Sequence, residues 1–272
     1  MTLQSIHPDR REPADPFGAR FLKDLAVTLI LWTYFTLGFV VFFAPRYLWA
    51  RATARDRQKA FQRLNQMFYR GFFGLVRRLI PRQEWRIAEA VRNIRSSVIV
   101  CNHVSYLDPI LLISLYERHT TIAKARLFDI PVFGTMLALS GYLPSEAGGR
   151  YADLMLSGIE TLGAYLSEGG NLIVFPEGTR SRSGRMGSLR KGGFKIARRF
   201  DAPINVVRIR NTNRLFQPGR FLFNTGISNT IQVDLVACID PRKEGASRTT
   251  EGLMSLVRRI LEDGADAEAS AA

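Results

Sequence analysis

The chain has 272 residues, 46% of them hydrophobic and 23% charged, which is enough for a sizeable buried core and excludes a disordered, collagen-like or coiled-coil chain. Lysine and arginine total 38 against 24 acidic residues, a formal net charge of +14, so the expected partner is anionic: nucleic acid, a membrane surface or a phosphorylated small molecule. Two cysteines, Cys101 and Cys238, exclude a disulfide framework and a four-cysteine zinc site, and three histidines leave little for a multi-histidine metal centre.

Residues 1–24 are polar, contain Pro8, Pro13 and Pro16, and read as a flexible tail. An uncharged run follows from Leu25 to Ala44, bounded by Lys23-Asp24 and Pro45-Arg46. A helix of that length spans about 30 Å, the thickness of a bilayer's hydrocarbon core. The run begins too late and is too long for an ordinary signal peptide. A membrane-embedded helix is expected, with a buried core helix as the rival. Trp32 and Tyr34 lie mid-run, so a helix dipping into the interface is the variant to spanning. The basic residues Arg46, Arg51, Arg55, Arg57, Lys59 and Arg63 come next, and by the positive-inside rule they place the bulk of the chain on the cytoplasmic face.

From Phe61 to Ile80 apolar residues recur at 61, 64, 68, 72, 75 and 79, a helical period with a Phe-rich face. Two environments suit it equally: a headgroup layer, or the chain's own domain. Residues 25–82 are therefore grouped as membrane-associated helices.

From about residue 83 to 262, short β-branched runs alternate with amphipathic stretches. Ser97–Cys101, Thr120–Ala123, Asn171–Phe175, Ile204–Ile209 and Thr230–Cys238 read as strands. Pro109–Arg118, Ala152–Ser167, Lys191–Arg199 and Leu253–Leu261 read as helices. The expected architecture is α/β, a mixed sheet covered by helices. The Ala-rich end, 263–272, reads as a frayed tail.

Two segments carry chemistry. After the first strand comes Asn102-His103-Val104-Ser105-Tyr106-Leu107-Asp108-Pro109. Histidine is the usual general base near neutral pH, and a carboxylate on its second nitrogen fixes the tautomer and supports the imidazolium. On a continuous helix a five-residue separation keeps the two side chains apart; they meet only if a loop enters a helix at Asp108. Asp108 is a favoured N-cap and Pro109 a favoured first helical residue, so the bland alternative is a cap beside a polar loop histidine. After the strand at 171 comes Phe175-Pro176-Glu177-Gly178-Thr179-Arg180-Ser181, where a glycine, a hydroxyl and a guanidinium fork suit an anion. Its continuation through Arg182 and Arg185 reads as a solvated basic loop. Lys124, followed by Pro131-Val132-Phe133-Gly134, says little alone.

In this order, Asn-His-x-x-x-x-Asp, Lys…Pro-x-Phe-Gly and Phe-Pro-Glu-Gly-Thr-Arg-Ser resemble the glycerolipid acyltransferase family of lysophosphatidic acid acyltransferases. Arg190-Lys191-Gly192-Gly193-Phe194 and Ala202-Pro203-Ile204 are similar to two further family blocks. The resemblance runs from about residue 98 to 210. It implies transfer of a fatty acyl group from acyl-CoA or acyl-carrier protein, as co-substrate and not a bound cofactor, to a lysolipid hydroxyl, 1-acylglycerol-3-phosphate first among them, in phospholipid biosynthesis. His103 would be the base and Asp108 its partner. Glu177, Gly178, Thr179, Arg180, Lys124, Arg150 and Lys191 would bind substrate, with no metal. Membrane lipids and the acyl donor would then account for the positive charge, without nucleic acid. One departure keeps other acceptors open, an amino-acid-containing lysolipid among them: family members show Gly-x-x-x-x-x-Arg, whereas Gly141 is followed by Ala147 at that spacing, and the nearest arginine is Arg150. A non-catalytic, anionic-lipid-binding membrane protein is the rival class.

Overall fold

The computed structural model describes residues 18–146, 148–180, 186–243 and 249–269, the side chains of 264–269 excepted. Residues 1–17 of the expected tail, Ala147, Ser181, Arg182, Arg185 and the last residues of the Ala-rich end lie outside the described residues.

The apolar run lies in a longer helix than its composition delimits, Ala19–Thr53, which passes straight through Pro45. Proline lacks an N–H, and in a regular helix its ring would strike the carbonyl four residues back. Here the preceding segment Tyr34–Phe43 is π-helical, which widens the turn, and Arg46 donates to the carbonyl of Phe42. By length and composition the helix is able to cross a membrane. One side of it, however, is committed to protein. Trp32 stacks on Phe221 with centroids 5.9 Å apart, Tyr34 stacks on Phe68 at 5.2 Å, and the Tyr34 hydroxyl donates to the Phe68 carbonyl at 2.8 Å. These contacts explain two amphipathic aromatics in the middle of the run. Leu37, Val40, Val41, Phe42, Leu48 and Trp49 on other faces are exposed.

The second helix, Arg57–Leu79, opens with Asp56 accepting from the Lys59 N–H at 2.9 Å and ends just before Pro81. Phe61, Phe68, Phe72, Phe73 and Val76 are buried against protein, which decides between its two possible environments: the Phe-rich face meets the domain, not a headgroup layer. Its buried amides complete the attachment. Asn65 accepts from the Tyr47 hydroxyl and donates to Ser140 Oγ at 2.9 Å, while Gln62 donates to the Ser140 carbonyl at 2.9 Å.

Seven strands form one mixed sheet in the order β1-β7-β6-β2-β5-β3-β4. They are β1 Gln83–Ile87, β2 Ser97–Cys101, β3 His119–Ala123, β4 Leu143–Pro144, β5 Asn171–Val174, β6 Ile204–Arg210 and β7 Asn229–Ile239. Only the β6–β7 pair is antiparallel among these. Strand β2 is buried throughout, as expected of a parallel strand covered on both faces. Ile99 and Cys101 face the helices Arg57–Leu79 and Leu107–Leu115, and Val98 and Val100 face Ala152–Ser167, Gly192–Arg199 and Thr250–Ala269. Two strands escape a β-branched pattern: β1 is polar (QEWRI) and β4 is a two-residue edge ending in proline, where a missing N–H costs no ladder bond.

His119 is a core residue. Its Nδ1–H donates to the Tyr116 carbonyl at 2.8 Å, its Nε2 accepts from the Tyr142 hydroxyl at 2.8 Å, and burial pushes its pKa down to about 4.

Candidate active site

Strands β2, β5 and β3 are parallel neighbours, so the loops leaving their carboxyl ends converge at one edge of the sheet. Those loops carry His103, Phe175 and Lys124 respectively. Convergence at the carboxyl ends of parallel strands is the usual place for a ligand site in an α/β sheet.

Asn102 anchors the first loop by imitating a strand. Its amide donates to the Ile209 carbonyl at 2.8 Å and accepts from the Ile209 N–H at 2.7 Å. The chain then turns at Ser105 and enters the helix Leu107–Leu115. This geometry brings His103 Nδ1 to 3.0 Å from Asp108 Oδ2. The same oxygen accepts from the backbone N–H groups of Val104 and Ser105, both at 2.7 Å, and Oδ1 accepts from the Thr212 hydroxyl at 2.6 Å. An oxygen that receives three donors leaves Nδ1 as the protonated ring nitrogen, so Nε2 presents its lone pair. The His103 side chain is 15% exposed and Asp108 is fully buried, so the imidazole reaches the surface while the carboxylate stays dry. The His103 ring also packs on Phe175, centroids 4.7 Å apart.

Asp108 is not the helix N-cap. Tyr106 flanks the helix and already has helical φ and ψ, and the capping contacts sit one residue earlier: Ser105 Oγ accepts from the Leu107 N–H at 3.3 Å while Asp108 reaches back to the Ser105 N–H. This is a capping box, Ser-x-x-Asp. The carboxylate that closes the capping box is thus the same one that faces His103 Nδ1.

Beside the dyad lies a cavity of about 400 Å³, lined by Phe175 on the His103 side and by Lys124, Arg126, Arg190, Thr179 and Glu146 among its polar groups. Gly178 shapes its rim. With φ +66 it is in the left-handed region, and a Cβ there would stand 2.5 Å from Arg190 Nε. Arg190 is held close by its N–H donating to the Pro176 carbonyl at 2.7 Å. Gly134 closes the Pro-x-Phe-Gly turn, where a Cβ would meet the Phe128 carbonyl.

The expected substrate-binding residues divide. Lys124, Gly178 and Thr179 line the cavity. Arg180 lies beside it, its guanidinium carbon 3.2 Å from the centroid of the Tyr106 ring. The others are engaged elsewhere. Glu177 accepts from the Gly187 N–H at 3.0 Å and so pins the following loop. Arg150 is paired with Asp129 and 68% exposed, so it does not reach the cavity through the glycines before it. Lys191 pairs with Glu251 at 2.8 Å on the surface. Sequence reasoning missed Arg126 as a lining group, gave Arg190 as the start of a family-like block without a substrate-binding role, and missed Thr212, which lies 104 residues beyond Asp108 and gives no local signal. Among the described residues no cluster of three His, Cys, Asp or Glu side chains is placed to hold a metal ion.

The region that carries this site is the one in which the chain resembles known proteins. Residues 82–210 match the family model Acyltransferase. A chloroplastic 1-acyl-sn-glycerol-3-phosphate acyltransferase of Brassica napus is 30% identical over 135 residues, 48% of this chain and 39% of that protein. A 1-acyl-sn-glycerol-3-phosphate acyltransferase of Borreliella burgdorferi is 30% identical over 143 residues, 51% of this chain and 55% of that one. The matched region thus spans about two fifths of the plant relative's length. In fold, the chain is similar to the crystal structure of the 1-acyl-sn-glycerophosphate acyltransferase PlsC from Thermotoga maritima, with a TM-score of 0.66, 23% identity, and 90% of this chain and 97% of that one covered. The Acyltransferase match spans both the His103–Asp108 loop and the Glu177–Arg180 turn, so the site built above lies within the part of the chain that is similar to glycerolipid acyltransferases.

Proposed function

We propose that the chain is an O-acyltransferase that moves a fatty acyl group from acyl-CoA or acyl-carrier protein to the free hydroxyl of a lysolipid, with 1-acylglycerol-3-phosphate as the acceptor, in phospholipid biosynthesis. The observation that carries this reading is a histidine whose Nδ1 is held by a buried carboxylate and whose ring packs on Phe175, which lines a cavity together with Lys124, Arg126 and Arg190. The acceptor hydroxyl gives its proton to Nε2 as its oxygen attacks the thioester carbonyl. The tetrahedral adduct then collapses, the C–S bond breaks, and the imidazolium returns the proton to the departing sulfur. Asp108 stabilises that imidazolium and holds the ring in position. Direct attack also suits the cysteines: Cys101 is sealed in the core, where burial pushes its thiol pKa up, and Cys238 lies on β7, two strands from β2.

Three cations against one carboxylate favour a phosphate monoester head over a neutral one. Removing one charge-assisted contact is worth about 1.5–3 kcal/mol, roughly 10- to 150-fold in acceptor kcat/KM. Lys124→Ala and Arg190→Ala are expected to fall in that range, and Arg150→Ala, whose partner is Asp129, to change it less than about twofold. Acceptor kinetics with phosphorylated and unphosphorylated lysolipids test this. Equal use of both acceptor types by the wild type, or a large loss in Arg150→Ala alone, would reverse the assignment.

The same reading places the Ala19–Thr53 helix along the membrane surface at the cytoplasmic face. From Thr28, which accepts from the Phe223 N–H at 2.9 Å, to Tyr47, bonded to Asn65, one side is tied to the domain, so the exposed apolar side is what remains for lipid. Washing membranes with high salt should leave the protein bound, because salt screens the basic contribution but not apolar insertion. Quantitative release by salt would mean that the helix is not embedded.

A further inference from the structure

Tyr106 lies between the two members of the dyad, yet no step above uses it. It is 53% exposed, high for a large aromatic side chain, and its ring lies against the Arg180 guanidinium at 3.2 Å from carbon to centroid. Phe216 braces the ring from another side, centroids 6.2 Å apart and tilted by 51°. The Phe216 carbonyl in turn accepts from Ser105 Oγ at 3.0 Å, so the brace is fixed to the loop that carries the platform. Arg180 Nη1 is sealed from solvent and has no hydrogen-bond partner among the described residues. A buried, unpartnered N–H is costly to keep and marks a donor prepared for an acceptor atom that arrives from outside. A planar guanidinium lying on a ring retains its in-plane donors for that purpose, which an ammonium on a flexible stem does not.

We propose that Tyr106 is a positioning residue: its ring is the platform that holds Arg180 so that Nη1 faces an oxygen of the acceptor's anionic headgroup. The inference rests on the acyltransferase reading with an anionic acceptor and adds a residue to it. Because the platform sits on the same short loop as His103, that loop both carries the base and steadies the guanidinium that reaches it from the turn after β5. Losing the platform should therefore affect acceptor binding and leave donor binding alone.

The test uses the full chain in detergent micelles, with two readouts: steady-state kinetics with 1-acylglycerol-3-phosphate, and calorimetric binding of a short-chain alkyl phosphate, which needs no turnover. Tyr106→Ala is expected to lower acceptor kcat/KM and to raise the alkyl phosphate Kd by about 2- to 30-fold, the range for loss of a cation–π contact, with the donor KM unchanged. Tyr106→Phe keeps the ring and should restore both to within about twofold. In an Arg180→Ala background Tyr106→Ala should add nothing, since the platform then has nothing to hold. An unchanged Kd in Tyr106→Ala, or the same further loss without Arg180, would overturn the proposal. If the wild type transfers no acyl group but its alkyl phosphate Kd still depends on the ring, the platform stands and the acyltransferase reading falls. If the wild type binds no alkyl phosphate while acylating an uncharged acceptor, the platform falls and the acyltransferase reading stands.

Discussion

His103→Ala is expected to lower kcat by about 10²- to 10⁴-fold, the usual contribution of a positioned general base. The fold should persist, because Asp108 retains its other three donors, the N–H groups of Val104 and Ser105 and the hydroxyl of Thr212. The ring also packs on Phe175, at the cavity wall and not in the deep core, so its removal opens space next to solvent. Thermal unfolding should therefore shift little, and membrane association should not shift at all. The measurement is kcat for both substrates together with Tm. A loss of less than about tenfold would move the base role to another group. The assay should also follow free fatty acid with and without lysolipid. Release at the same rate in both conditions would make water the true acceptor and the protein a hydrolase.

What was legible in the sequence, and what was not, follows from how local each determinant is. Strand β2 and the helix Ala152–Ser167 follow from apolar pattern, which is a local property. Strand β1 does not, because Gln83 is held by long-range partners: it accepts from Asn229 at 2.9 Å and donates to the Ile227 carbonyl at 3.0 Å. The end of the apolar helix was misplaced at Pro45, since composition alone does not foretell a π-helical stretch that accommodates a proline. In the site, the dyad was legible as a motif, and Ser105 with Asp108 was a capping box in plain view. The missing signal was for groups recruited by topology: Thr212 arrives beside Asp108 from beyond β6, and Arg126 enters the cavity from the turn after β3. Arg150 shows the converse. It was the nearest arginine to the family's pattern in sequence, but Asp129, 21 positions earlier in the chain, holds it outside the cavity.

Asp108→Asn separates the two roles of that carboxylate, and it should lower kcat without dismantling the loop. Oδ2 faces the Val104 and Ser105 N–H groups and His103 Nδ1, three donors, so the asparagine must place its carbonyl oxygen there. Its NH₂ group then falls at the Oδ1 position, opposite the Thr212 hydroxyl, which can rotate from donor to acceptor. The capping box survives in this orientation, and Nδ1–H still finds an oxygen, so the ring keeps its tautomer and Nε2 stays free. What disappears is the negative charge beside the imidazolium that forms when Nε2 takes the hydroxyl proton. Exchanging a charge-assisted hydrogen bond for a neutral one costs that state about 1.5–3 kcal/mol, so kcat should fall about 10- to 150-fold. The KM for either substrate should hardly move, because Asp108 is fully buried and touches neither. Asp108→Ala is the contrasting variant. It strands two backbone N–H groups and a threonine hydroxyl, so it should lose stability as well as turnover. Near-wild-type kcat in Asp108→Asn, with Tm preserved, would show that the carboxylate serves the loop's fold alone and that His103 works without charge support.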